Sequence, residues 1–423
     1  MNEFQIVTVE DLINRGVLEK PLDGNHGGLH PKNSDYVDEG IPFIMASDID
    51  RDRINFENCK YITREQASTL RKGFAKEGDV LLSHKATIGK TAVVENIPTD
   101  FIVLTPQVTY YRILDESILD RYYLHYYFKS PYFQSILNSW SGSGSTRAYI
   151  SITEQRKLPI LLPSIDVQKR ITSILRSLDL KIELNLKMNK TLEEMAMTLY
   201  KHWFVDFEPF QDGEFVESEL GMIPKGWRVI SCYDLANYIN GKAFKTNQLV
   251  DNDGLPVIKI AELKSGITNS TKFYNGDIES KYLLQNGDIL FAWSASLGVF
   301  IWAKGEAVLN QHIFNVKPNG TLSKSMIYFT LKNIIQEFIE IAASRATTMG
   351  HITKQHLIDK KIALPPDKLL VKVDEKMSNC YQMILSNMLE VERLTQIRDY
   401  LLPRFLSGEI DVSKAEKQVE EVV

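Results

Sequence analysis

The chain has 423 residues, 44% hydrophobic and 24% charged, with a formal net charge of −5 at pH 7. That length predicts two or three domains with cores of their own, and the acidic balance gives no support to a protein that coats nucleic acid non-specifically, while leaving room for local basic surfaces. Cys59, Cys232 and Cys380 are far apart and form no Cys-x-x-Cys pair, which argues against a disulfide framework or a zinc site, and no apolar run reaches the ~18 residues of a membrane span.

Met1-Asn-Glu-Phe4 shows no basic, apolar leader pattern, so a reducing cytoplasmic location is expected. The first 163 residues read as a small α+β domain built around a twisted sheet. Short runs at Asp79–Leu82, Thr91–Val94 and Phe101–Leu104 have strand character. A helical stretch follows from Leu119 to Leu137, interrupted by Pro131. Ser83, His84, Lys85, Thr87 and Lys90 lie at the join of the first two runs. Ser143, Ser145, Thr146 and Arg147 lie in a Gly/Ser-rich stretch further on. Lys and Arg suit phosphate contacts, and Ser, Thr, His and Arg suit base edges, so both segments are candidates for DNA contact. For any one residue, an ordinary solvated loop is the plain alternative.

Leu162-Pro163 opens a long helical pattern. Ile171, Leu175, Leu178, Ile182, Asn185, Asn189, Leu192, Ala196, Leu199 and Trp203 advance by alternating steps of four and three. That is a heptad seam, the pattern of a coiled coil. Its two asparagines cost stability among apolar residues but can fix register. Residues 207–226, with Pro209, Gly213, Pro224 and Gly226, read as an irregular connection.

From Trp227 the sequence returns to its own beginning. Ile41-Pro-Phe-Ile44 is echoed by Leu255-Pro-Val-Ile258, Gly78-Asp-Val-Leu-Leu82 by Gly287-Asp-Ile-Leu-Phe291, and Ile152-Thr-Glu-Gln155 by Ile352-Thr-Lys-Gln355. Strands are predicted at Asp288–Phe291, Val299–Trp302 and Ile313–Val316, and a helix over Ser325–Ala343. Inside the shared frame the polar segments differ. Trp293, Ser294 and Ser296 stand in the place of the first polar segment, and Arg345, Thr347, Thr348 and His351 near the place of the second. These are the DNA-contact candidates of the second copy.

Leu364-Pro365 opens a second helix. Its seam reads Val373, Met377, Cys380, Ile384, Asn387, Val391, Leu394, Arg398, Leu401 and Phe405, with Arg398 where the first copy has Ala196. The expected organisation is a first α+β domain over 1–163, a helix over 164–206, a connection over 207–226, a second α+β domain over 227–365, a helix over 366–410 and a charged, partly ordered tail over 411–423. If the helices pair, chain order makes them antiparallel, with one α+β domain at each end and a pseudo-two-fold axis between. Asn189 should then face Asn387, and Asn185 should face Val391. Two amphipathic helices on separate cores are the alternative.

Catalytic signals are fragments. Ile88-Gly-Lys-Thr91 has the ending of a phosphate-binding loop, but His84 stands where its first glycine belongs. Ser130-Pro-Tyr-Phe133 lacks the second proline of the amino-methyltransferase motif, and the eight histidines show no metal-ligand spacing. No catalytic and no metal site is expected. An autonomous DNA methyltransferase or nuclease with unrecognised motifs, or a coiled-coil adaptor, are the alternative readings. Binding of S-adenosylmethionine by the chain alone would mark the first of them.

The order of these motifs carries a resemblance. Gly142-Ser-Gly-Ser-Thr-Arg147 through Gln155, leading into Leu161-Leu-Pro163 and a helix, resembles the specificity subunit of type I restriction–modification systems. So do Thr347 through Gln355 leading into Ala363-Leu-Pro-Pro366, and Leu220-Gly-Met-Ile-Pro-Lys-Gly-Trp227. The resemblance spans essentially the whole chain. It implies two target-recognition domains, each reading one half of a split, asymmetric double-stranded DNA site. It also implies helices that set the half-site spacing and hold two copies of the modification (methyltransferase) subunit. S-adenosylmethionine would belong to that partner, and ATP and Mg to a restriction subunit where one joins.

Overall fold

A computed structural model describes residues 4–141, 149–344 and 350–412. It forms two compact units. One takes the chain up to Leu180 and again from Gln396; the other takes Lys181–Thr395.

In the first unit, Val80–Lys85 lies between Thr87–Val93 and Val108–Tyr111, antiparallel to both, with Leu22–Asp23 on the far edge. A second sheet of five short strands runs in the order Tyr36–Val37, Lys60–Ile62, Ile41–Ile44, Ile102–Leu104 and Phe74–Ala75, with Ile102–Leu104 parallel to Ile41–Ile44. The sequence predicts one sheet; the structure has two larger sheets packed together, besides two two-stranded pairs. The reason is that both faces of the first sheet are apolar. Side chains alternate along a strand, so Leu81, Ala92, Val108 and Tyr110 meet Ile44, Ile102 and Leu104 of the second sheet. Val80, Leu82 and Tyr111 meet Tyr123, Leu124, Tyr127 and Phe128 on the opposite side.

Pro131 divides the predicted helix in two, Arg121–Lys129 and Pro131–Trp140. Ser130 Oγ accepts a hydrogen bond from the Phe133 amide at 3.2 Å and caps the second piece. Pro131 then occupies the first helical position, where its missing N–H is no loss. Gln5–Thr8 pairs with Pro159–Leu162 and hands the chain to the first long helix, Ile165–Phe204. Ile171 and Leu175 of that helix share a core with Leu402, Phe405 and Leu406 from the end of the second long helix, Asp367–Ser407. Arg398 is no interruption of this packing. Its Nη1 donates to Asp179 Oδ1 at 2.8 Å, and Asp179 Oδ2 accepts from Tyr126 Oη at 2.6 Å.

The second unit repeats the plan. Its first sheet runs Ala236–Asn240, Ile313–Pro318, Ile289–Ala292, Gly298–Ile301, and its second Phe273–Tyr274, Leu255–Ile258, Ala307–Leu309, Leu283–Leu284. Leu255–Ile258 runs parallel to Ala307–Leu309, as Ile41–Ile44 does to its partner. The helix Lys324–Ser344 covers the outer face through Phe329 and Phe338. The stretch 207–226 is more regular than its glycines and prolines predict. Phe215–Ser218 and Gly221–Pro224 form a hairpin, and Phe204, Phe207 and Phe210 set their rings edge-on to Trp227 at 5.8, 5.1 and 5.3 Å. Aromatic edge-to-face packing holds a segment that turn residues alone would leave loose.

Within this unit the two long helices lie side by side. Asn387 Nδ2 donates to Asn189 Oδ1 at 2.9 Å, and Asn185 Nδ2 donates to Glu390 Oε2 at 2.7 Å. One number rises as its partner falls, so the helices run antiparallel here. Asn185 is buried and bonds the residue before Val391, because an amide in a dry seam takes the nearest acceptor. Val373, Met377, Ile384 and Leu394 are buried; Ile182, Leu192, Leu199 and Val391 are half-buried. In the first unit Leu178 is buried and Leu401 half-buried.

Candidate nucleic-acid interface

Each unit carries one β-hairpin whose turn is bent by an alanine in the left-handed region: Ala86 at φ +65° and Ala295 at φ +58°. Only glycine takes that conformation freely, so the surroundings hold these two turns in shape. Main-chain hydrogen bonds fix the correspondence. The His84 amide donates to Gln107 O at 2.9 Å and the Trp293 amide to His312 O at 3.2 Å. The Ile150 amide donates to His84 O and the Ile352 amide to Trp293 O, both at 3.0 Å. Asp23 pairs with Thr109 as Asn240 pairs with Phe314. The frames are equivalent; the side chains are not. His84, Asp23, Gln107 and Tyr149 of the first unit stand where Trp293, Asn240, His312 and His351 stand in the second.

In the first unit the place is a buried polar cluster. His84 is 1% exposed; its Nδ1 lies 2.9 Å from Ile150 O and must donate to that carbonyl. Its Nε2 lies 4.0 Å from Asp23 Oδ2 and has no hydrogen-bond partner among the described residues. Burial lowers the His84 pKa and favours the neutral ring. Asp23 is also paired with the Lys72 ammonium, and its Oδ2 lies 2.8 Å from His26 Nε2. Tyr149 covers the edge, its ring 5.7 Å from His84 and under Lys85 Nζ at 5.8 Å.

The predicted residues thus divide. Ser83 is fully buried and accepts from the Lys90 amide at 2.9 Å, and Lys90 Nζ donates to Ile49 O at 2.7 Å. Those contacts, with the burial of His84, belong to the hairpin itself. Lys85 and Thr87 reach the surface, one half-buried and one exposed. Ser143, Ser145, Thr146 and Arg147 lie outside the described residues, as do Arg345, Thr347 and Thr348.

In the second unit Trp293 is half-buried against Phe314, stacked at 5.8 Å, with the His312 ring at 5.1 Å. Trp293 Nε1 donates to Asn240 Oδ1 at 3.2 Å. Ser294 is buried and pairs with His351, which is exposed; Ser296 is half-buried. Beside them Lys242 Nζ lies 5.3 Å from the Tyr274 ring and 5.6 Å from that of Phe244.

Sequence reasoning missed Asp23, His26, Lys72, Asn240, Lys242 and His312. One signal was available. Leu22-Asp-Gly-Asn25 and Ile239-Asn-Gly-Lys242 share an apolar–Asx–Gly–polar pattern. Both glycines press on main chain: a Cβ on Gly24 would sit 1.9 Å from Leu104 O, and one on Gly241 would sit 2.0 Å from Asn310 O.

Residues 2–194 and 224–384 both match the type I restriction modification DNA specificity domain. The chain belongs to that family. The doubled match is the internal duplication seen in the two units. Among its relatives is the type I restriction enzyme MjaIX specificity subunit of Methanocaldococcus jannaschii, 28% identical over 414 residues, covering 92% of this chain and 91% of that one. The HindI specificity subunit of Haemophilus influenzae is 25% identical over 441 residues, covering 88% and 94%. The fold is similar to the crystal structure of the type I restriction–modification S subunit from M. genitalium, at 15% identity, 96% coverage of both chains and a TM-score of 0.53. No helix among the described residues of this family member is long and apolar enough to cross a membrane.

Proposed function

We propose that the chain is the DNA sequence-specificity subunit of a type I restriction–modification complex, each unit reading one half of a split, asymmetric site. The observation that carries this reading is the pair of equivalent hairpins. One frame carries half-buried Gln107 and Lys85 beside the buried His84–Asp23 cluster in the first unit, and exposed Asn240 and His312 beside Trp293 in the second. Groups with different donors and acceptors select different base edges. Lys85 supplies a cation beside the first hairpin and Lys242 beside the second, and such cations bind phosphate without regard to sequence. The long helices set the distance between half-sites and hold two copies of the methyltransferase subunit. The chain performs no chemistry of its own in this reading. S-adenosylmethionine belongs to the methyltransferase, and ATP with Mg to a restriction subunit where one is present. The whole complex works in the cytoplasm, where the DNA is.

Mapping methylated bases in the host genome with and without the gene tests the proposal. Loss of methylation at one two-part motif is the expected result. Replacing residues 227–361 with the second recognition domain of a related subunit should alter one half of that motif and leave the other intact. Methylation unchanged by loss of the gene would refute the assignment.

A further inference from the structure

The second unit shows which side chains present donors and acceptors outside the positions that composition and loop position single out. Asn240 and His312 are both exposed, and both lie against the half-buried indole of Trp293. Asn240 accepts from Trp293 Nε1 through Oδ1. That bond turns the Nδ2 end of the carboxamide, with its two N–H donors, away from the indole. His312 is held at φ +75°, a backbone conformation a side-chain-bearing residue seldom adopts. A residue kept at such a position while remaining exposed is held by its surroundings at some cost, which points to a functional demand. Trp293 itself is fixed by stacking on Phe314. Carboxamide and imidazole are both groups that read base edges. The equivalent places in the first unit hold Asp23, buried, and Gln107, half-buried, so the two units differ in chemistry at one shared spot.

We propose that Asn240 and His312 are specificity-determining residues for the half-site read by the second unit, and that Trp293 is the residue that positions Asn240. This rests on the DNA-specificity reading above. Asn240 offers its amide donors to an acceptor on a base edge, and His312 offers an imidazole nitrogen to the same or the next base pair.

The test uses the full chain assembled with its modification subunit, with the methylated motif read across a genome. The variants are Asn240→Ala, His312→Gly, Trp293→Phe and the Asn240→Ala/Trp293→Phe double. Both primary sites are exposed, and glycine relaxes the backbone at His312, so folding is preserved. Asn240→Ala and His312→Gly should each lose about tenfold in preference at one base pair or more of one half-site, with the other half unchanged. Trp293→Phe keeps the stack on Phe314 but loses the indole N–H. It should reproduce the Asn240→Ala pattern, and the double variant should add nothing further. A wild-type complex that methylates a two-part motif, with Asn240→Ala and His312→Gly selecting the same bases at the same rates, overturns this inference and leaves the DNA-specificity reading standing. A wild-type complex with no two-part motif overturns that reading and this inference with it. Relaxation by Trp293→Phe at bases that Asn240→Ala leaves alone overturns the positioning role.

Discussion

Asn387 donates a hydrogen bond of 2.9 Å to Asn189 across the helix pair of the second unit. Both amides are half-buried, and each satisfies the other. Asn387→Leu removes that bond and leaves Asn189 to the water that reaches it, and should cost about 1 kcal/mol. Asn189→Leu with Asn387→Leu should recover most of that loss, since two apolar side chains meet instead. Chemical denaturation of the three proteins checks this; a double variant as unstable as the single would show that the amides do more than satisfy one another.

The family reading makes the helices a ruler. Seven residues inserted after Leu192, matched by seven after Met383, keep the seam phase. They lengthen each helix by about 10 Å at 1.5 Å per residue, or roughly three base pairs at 3.4 Å each. The methylated motif should gain a longer gap, or activity on the original site should fall. Full-rate methylation at the original site by the folded variant would show that the helices do not set the gap.

His125 makes the first unit sensitive to acid. It is buried, with Nδ1 3.3 Å from Thr91 Oγ1. Burial, with the Lys129 charge next in size, pushes its pKa down from 6.5 to about 4. The unfolded chain therefore takes up a proton between those values while the folded unit does not. Stability is fully present above about pH 6.5 and falls as the pH drops toward 4, by up to about 3 kcal/mol for this one group. The lowered pKa of buried His84 acts in the same direction. Melting temperatures from pH 7 to pH 4 should fall less steeply in His125→Gln than in the parent; an identical slope would remove His125 as the cause.

Gly24 and Gly241 are the tightest points of the two frames. A Cβ would lie 1.9 Å from Leu104 O in one and 2.0 Å from Asn310 O in the other. Gly24→Ala and Gly241→Ala should each cost about 2 kcal/mol or more, because main chain must move to admit the methyl. Thermal melting tests the size. Base preference should degrade in the half-site of the altered unit alone, since the displaced segment carries Asp23 or Asn240.

Much of the architecture was legible as periodicity. Ile171 through Trp203 spelled a seam, and Gly78 through Leu82 with its echo gave the duplicated frame. Ala86 and Ala295 stand at the same step after Gly78 and Gly287, and both adopt the left-handed backbone conformation. The interior of the candidate site was not legible. Asp23 meets Lys72 and His84, and Asn240 meets Trp293, through contacts that span many tens of residues. Periodicity reports neighbours on one strand or helix and says nothing of such meetings. Ser83 and His84 looked like loop residues because they are polar. They are buried because the strand Val80–Lys85 runs on to the turn, and a satisfied polar side chain inside a sheet reads in sequence like a solvated one.

The first unit is closed by residues that lie beyond the whole of the second. Leu402, Phe405 and Leu406 complete the core around Ile171 and Leu175, yet the stretch Lys181–Thr395 separates them. On the ribosome, at about 5–20 residues per second, that stretch takes on the order of ten to forty seconds to make. Throughout that interval the first unit lacks the side chains that complete its core in the finished protein. The second unit has all of its own chain in one run and can fold as it emerges. Synthesis therefore delivers the two halves of one duplicated design by different routes, and the half begun first is finished last.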